Sequence, residues 1–248
     1  VSDNTLYRNI FDHISSVAGR YSGKIKGWDV VNEAILDDGS YRENDFYKIS
    51  ADEYIFKSFE IAHKIDPNAE LYYNDFSMYK PEKCDAAIRI ANKILERGLR
   101  IDGIGLQAHW GLDYPSIDEI ETSILKIHEA GFRVHFTELD IDVLPNLWEI
   151  EGADLSDNFK SNDQLNPYKS SLPDSISDLL SNRYSEIFEL FDKHNDKIDR
   201  VTFWGLSDGH SWKNDWPAKG RTNYPLLFDR ENNPKKAYKD IMMLFNEK

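Results

Sequence analysis

IKGWDVVNE, residues 25–33, is short, β-branched and nearly unbroken in apolar character until it ends on Asn32 and Glu33. A run of that kind suits a strand covered on both faces, as in a parallel sheet. Working outward, residues 4–20 place Leu6, Ile10, Ile14 and Val17 at helical spacing before GRYSGK stops the run. Downstream the alternation repeats. A helix over 53–65 leads through the turn DPN to a strand over 70–74, and helix 81–96 leads to strand 103–107. Helix 116–130 then leads to strand 133–138, helix 177–195 to strand 200–205, and helix 235–246 closes the chain. Strands alternating with helices of this length predict an α/β fold with a parallel sheet and right-handed crossovers.

Whether that sheet is open or rolled up is decided by where the polar residues fall. Asn32 and Glu33, Asn74 and Asp75, Gln107 and His109, Glu138 and Asp140, and Trp204 and Asp208 all follow the apolar part of their strands. An open sheet concentrates ligand groups near one switch point, whereas every strand of a barrel ends at a common mouth. Polar groups at five strand ends therefore predict a (β/α)8 TIM barrel. Eight strands close such a barrel, so the chain is expected to supply about the last five, with the first three βα units on another segment. No linker divides it, and residues 1–248 read as the C-terminal portion of one domain. The polar stretch 145–176, rich in Pro, Asn, Asp and Ser, reads as a long loop, either a functional lid or a disordered insertion.

Composition removes several alternatives. Lys and Arg number 30 against 44 Asp and Glu, a formal net charge of −14 that repels a phosphate backbone, so nucleic acid is not an expected partner. No stretch approaches the roughly 18 consecutive apolar residues of a membrane helix. No signal peptide is visible from Val1 onward. Cys84 stands alone, without the Cys/His spacing of a zinc site, and is expected to be a small helical residue. No metal or other cofactor is expected.

Two strand-end glutamates suggest a chemistry. Cleaving a glycosidic bond through a covalent intermediate takes one carboxylic acid to protonate the leaving oxygen and one carboxylate to attack the anomeric carbon. Glu33 and Glu138 are the candidates, as acid/base and nucleophile. Taken singly, a strand-end Glu is as readily a cap or an ion-pair partner. Trp28 and the apolar strand offer Glu33 a water-poor setting of the kind a general acid needs. Asn32 can bond a sugar hydroxyl. His109 and Asp140 can form a relay that holds Glu138 ionised, period-2 alternation putting Glu138 and Asp140 on one side. His109 as a satisfied core histidine is the competing reading. Trp204 and Trp212 offer flat faces to sugar rings, or are core aromatics. Tyr72, Tyr73 and Trp28 read as packing residues. A metal-dependent hydrolase built on His109, Glu138 and Asp140 has no HExxH spacing behind it.

Assembled in order, WDVVNEA (28–34), YYNDF (72–76), DGIGLQAHW (102–110), FTELDI (136–141) and FWGLSDGHSW (203–212) resemble glycoside hydrolase family 10, the endo-β-1,4-xylanases. The resemblance runs through essentially the whole chain. It implies a (β/α)8 barrel that hydrolyses xylan with retention of configuration, needs no cofactor and works outside the cell or at its envelope. Glu33 matches the family acid/base and Glu138 its nucleophile. Asn32, Gln107 and His109 match residues around the sugar at the cleavage point. Asn74 matches one on the leaving-group side, Asp140 the partner of the histidine, and Trp204 and Trp212 the aromatic lining. Two departures accompany it. NDFS at 74–77 stands where the family more often has NDYN, and the Lys, Asn, Trp and WH residues of the family's first three strands do not precede Val1. An N-terminal segment completing the barrel is thus the expected partner besides xylan. A carbohydrate-binding remnant and a cellulase-like β-1,4-glycanase are the alternatives.

Overall fold

The computed structural model describes residues 2–145, 165–217 and 219–246. Residues 146–164, most of the expected long loop, lie outside this set. The chain forms two compact units, one of Val1–Ala108, Asp118–Thr137 and Asp196–Val201, the other of His109–Ile117, Glu138–Asn195 and Thr202–Lys248.

The first unit alternates helix and strand: α1 (Asp3–Val17), β1 (Gly27–Asn32), α2 (Asp45–Ser50), α3 (Glu53–Ile65), β2 (Glu70–Asp75), α4 (Pro81–Glu96), β3 (Gly103–Leu106) and α5 (Ile117–Glu129). It also takes the first halves of β5 (Arg133–Asp142) and β6 (Ile198–Phe203). Local chemistry sets the boundaries. The Ser2 hydroxyl caps α1 by accepting from the Thr5 amide, and Asn44 caps α2 by accepting from the Tyr47 amide. Pro81 opens α4, where its missing N–H costs nothing. Strands β1, β2, β3 and β5 pair in that order and in parallel, with Asn32 opposite Asn74, Asn74 opposite Gly105 and Gly105 opposite His135. Leu71, Tyr73, Ile104, Val134 and Phe136 on the strands and Phe59, Ile90, Ile94 and Ile124 on the helices are buried. Each such side chain stabilises the fold by about 1.5–3 kcal/mol.

Five strands are expected and six are described. The passage expected as one strand over 103–107 leaves β3 at Leu106 and passes Ala108 in the left-handed region at φ 65°. It resumes as β4 (His109–Gly111), which pairs in parallel with the far half of β5. Helix α2 was likewise not expected, being too short for a helical period to show. Strand β5 runs four residues past its expected end, to Asp142.

Strand β2 ends on a buried ion pair. Lys83 Nζ lies 3.0 Å from Asp75 Oδ1 with both side chains at 0% exposure, and 3.2 Å from Asp37 Oδ1. Asp75 also accepts from the Tyr73 hydroxyl at 2.5 Å and the Phe76 amide at 2.9 Å. Removing one partner strands the other charge, so Lys83→Met is expected to destabilise the chain by about 3–5 kcal/mol. Urea denaturation measures this, and adding Asp75→Asn to Lys83→Met should recover part of the loss.

The second unit holds β4, the far half of β5, α6 (Asp174–Lys193), the end of β6 and α7 (Lys236–Asn246). Leu180, Tyr184, Ile187 and Phe191 of α6 and Ala237 and Ile241 of α7 are buried. The Tyr184 hydroxyl donates to the Pro225 carbonyl at 2.6 Å. Lys235 donates to Asp208 and to the carbonyls of Tyr224 and Leu226, fixing the loop after β6. Asp208, one of the polar residues expected at a strand end, is thereby engaged in holding that loop.

Candidate active site

In the first unit the parallel register places Asn32 and Asn74 side by side where β1 and β2 end. Asn74 Nδ2 donates to Asn32 Oδ1 at 3.0 Å, and the Thr137 hydroxyl donates to Asn74 Oδ1 at 2.7 Å. Gln107 Nε2 donates to Asn32 Oδ1 at 3.2 Å and to Glu33 Oε1 at 3.0 Å. Four residues expected at the site from sequence therefore form one hydrogen-bonded cluster, which Thr137 joins. Gly105 makes room for it, since a Cβ there would stand 2.5 Å from Asn74 Oδ1.

Glu33 sits at φ 56°, a left-handed conformation that costs a non-glycine residue on the order of 1–3 kcal/mol unless its surroundings hold it. Three contacts do so. Its amide donates to the Asn74 carbonyl at 3.0 Å, and its carbonyl accepts from Arg42 Nε at 2.9 Å. The following Ala34 amide donates to the Tyr73 hydroxyl at 3.0 Å. Tyr73 is in turn anchored by Asp75, so the buried ion pair reaches the backbone beside Glu33. Trp28 is occupied elsewhere, its indole N–H donating to Asp66 Oδ2 at 3.1 Å, in keeping with its packing role.

In the second unit the β4–β5 register sets His109 opposite Asp140. His109 Nδ1 lies 2.9 Å from Asp140 Oδ1 and Nε2 lies 3.2 Å from Glu138 Oε2. A neutral imidazole has one N–H and an ionised carboxylate only accepts, so both contacts are hydrogen bonds when the ring is an imidazolium. Burial opposes that charge, but the bonds to Asp140 and Glu138 outweigh it and raise the His109 pKa above its ordinary 6.5. Trp212 Nε1 donates to Asp140 Oδ2 at 2.8 Å, and its ring meets His109 edge-on with centroids 4.9 Å apart. Trp212 also stacks on Trp216. Lys213 Nζ lies 3.5 Å from Asp140 Oδ1 and 3.7 Å from Asp142 Oδ2, and Asn223 donates to Asp142 at 2.7 Å. Trp204 stands apart from this cluster in its exposure, with about half of its surface (47%) open. Arg42, Thr137, Lys213, Asp142 and Asn223 were missed from sequence. Lys213 adjoins Trp212 in the FWGLSDGHSW passage, Thr137 lies within FTELDI and Asp142 continues the alternation of Glu138 and Asp140, whereas nothing local marks Arg42 or Asn223.

The raised His109 pKa carries a sign. A group whose folded pKa exceeds its unfolded one contributes stability that is full below the unfolded value and is lost as pH rises through the folded value. The difference in urea midpoint between the unsubstituted chain and His109→Asn is therefore expected to be largest below about pH 6 and to shrink on the alkaline side of 6.5. A difference that grows with pH would contradict the imidazolium assignment.

The model of the family described as "Glycosyl hydrolase family 10" matches residues 1–244. Endo-1,4-beta-xylanase A of Xylanibacter ruminicola is 45% identical over 245 residues, covering 99% of this chain and 66% of that protein. A GH10 endoxylanase retrieved from a sugarcane soil metagenome superposes with a TM-score of 0.90 at 44% identity, covering 98% of this chain and 69% of that one. A mutant solved in complex with xylotriose superposes at 0.84 and 32% identity, covering 98% and 70%. The chain thus spans about two thirds of the length of the relatives it matches. These likenesses fix the fold class as that of the TIM barrel. With motifs, fold and a match along nearly its whole length in agreement, the chain belongs to glycosyl hydrolase family 10.

Proposed function

We propose that this chain carries the cleaving pair of a retaining endo-β-1,4-xylanase, with Glu33 as general acid/base and Glu138 as nucleophile. The observation that carries the reading is the imidazole shared by Glu138 and Asp140, because His109 Nε2, 3.2 Å from Glu138 Oε2 and backed by Asp140 on Nδ1, fixes where that carboxylate points. In the first step the Glu33 carboxylic acid gives its proton to the leaving glycosidic oxygen as a Glu138 oxygen bonds to the anomeric carbon. In the second, the Glu33 carboxylate takes a proton from water, whose oxygen displaces Glu138 and restores the configuration. This pathway needs the two carboxyl groups about 5–5.5 Å apart.

Gln107 orients Glu33, and Asn32 is the residue of that cluster open to a sugar hydroxyl. Asn74 is buried and acts through Asn32. Trp212 and the half-exposed Trp204 supply stacking faces. Residues 1–248 act as one portion of a single catalytic domain, completed by an N-terminal segment that supplies the remaining strands. The enzyme works on xylan outside the cell or at its envelope. The names of its relatives support xylan over cellulose as the substrate. The test is release of reducing ends from xylan and from cellulose by the chain joined to its N-terminal segment. Xylan affinity without products would instead favour a carbohydrate-binding remnant, and preferred release from cellulose would overturn the substrate.

A further inference from the structure

We infer that Glu70, His135 and Asp199, which lie toward the starts of β2, β5 and β6, form a binding site for a divalent transition-metal ion such as zinc. Glu70 opens β2, four residues or about 13 Å along the strand before Asn74. Asp199 lies near the start of β6 and His135 on β5. One carboxylate oxygen from each acid and a ring nitrogen of the histidine all lie within 4.8 Å of one another. Imidazole with two carboxylates, completed by water, is a ligand set zinc accepts, with bonds of about 2.0–2.2 Å. The donors close to that distance by rotation of the two carboxylate side chains, neither of which is fully buried.

The independent pointer is His135. Its side chain is 1% exposed, and among the described residues neither ring nitrogen has a hydrogen-bond partner. A buried imidazole normally finds two partners, and an orphaned one costs about 1–3 kcal/mol. Nε2 faces Asp199 Oδ2 at 3.8 Å, beyond hydrogen-bonding reach. Burial first, and then the charge of Arg200, pull the His135 pKa down to about 4 against the opposing pull of Asp199 and Glu70. A metal binds the neutral imidazole through whichever ring nitrogen carries the lone pair.

The ring and one acid are also held in place. Tyr72 stacks on His135 with centroids 4.0 Å apart and donates its hydroxyl to Glu70 Oε2 at 2.9 Å. Gly103 leaves the space for that tyrosine, since a Cβ there would stand 2.5 Å from its ring. Such outer partners orient metal ligands. The competitor is Arg133, whose Nη1 bridges Glu70 Oε1 at 2.6 Å and Asp199 Oδ2 at 3.0 Å. Its side chain is half exposed and can swing into solvent, as can Lys26, 3.9 Å from Glu70. Metal, two carboxylates and neutral imidazole then make an uncharged first shell.

Equilibrium dialysis of the metal-free chain against zinc tests this, with cobalt(II) absorption reporting nitrogen and oxygen ligation. One zinc per chain is expected. His135→Gln and Asp199→Asn should each weaken it by more than about tenfold, since even partners that only orient a ligand cost about 10–100-fold. Arg133→Gln should tighten it, and Asp196→Asn, on a neighbouring exposed carboxylate, should leave it unchanged. Asp199 lies at the more exposed edge, so Asp199→Asn carries the test if His135→Gln does not fold. Failure of the unsubstituted chain to retain zinc, or unchanged binding in Asp199→Asn, would overturn the site.

Discussion

Replacing Glu138 with Gln in the chain joined to its N-terminal segment is expected to lower kcat on xylan by a factor on the order of 10⁴–10⁶, the range seen when a catalytic nucleophile or its partner is removed. The amide is nearly isosteric but has no charge to direct at the anomeric carbon. Because Gln still presents an oxygen toward His109 Nε2, 3.2 Å away in the present structure, folding should survive and KM should change far less than kcat. The substitution has a second, independent readout. His109 is raised above 6.5 by two charged acceptors, and one of them becomes neutral, so its pKa should fall back toward that value in an NMR titration. A fluorinated sugar substrate that slows the second step should label Glu138 in the unsubstituted enzyme. Label on a different residue, or activity of Glu138→Gln within about tenfold of the original, would remove Glu138 from the nucleophile's role.

The contrast between Glu138 and its supports shows what a sequence of this kind discloses. The relay of His109 and Asp140 was legible because two regular patterns meet there. Alternation puts Glu138 and Asp140 on one side of β5, and the parallel register then sets His109 opposite Asp140. Asn32, Asn74 and Gln107 were legible for a similar reason, each falling where an apolar strand runs out. Thr137 was not, although it neighbours Glu138, because a threonine inside an apolar strand is ordinary and its bond to Asn74 spans 63 positions. Arg42 and Tyr73 act on the backbone around Glu33, and the left-handed φ they hold leaves no mark in the residue type. Nothing in the sequence marks the cluster of Glu70, His135 and Asp199, whose members lie far apart in the chain and match no spacing rule. Elements such as α2 and β4 are too short for either hydrophobic period to be seen.

Glu33→Gln is expected to split according to the leaving group. On xylan the departing sugar oxygen is a poor leaving group that needs a proton, so loss of the acid should cost a factor on the order of 10²–10⁴. On an aryl xyloside with an acidic phenol the first step needs no proton, and should keep most of its rate. The second step still needs a base to activate water, so the covalent intermediate should accumulate and phenol should appear as a burst. Azide, which attacks without giving up a proton, should then restore turnover and yield a glycosyl azide of retained configuration. Gln107 Nε2 can donate to the amide oxygen as it does to Glu33 Oε1, and the contacts holding the backbone at φ 56° come from main-chain atoms of residues 33 and 34. The variant should therefore unfold at the same urea concentration as the original, which separates lost chemistry from lost structure. Equal losses on xylan and on the activated aryl substrate, with no azide rescue, would mean that Glu33 is not the acid/base.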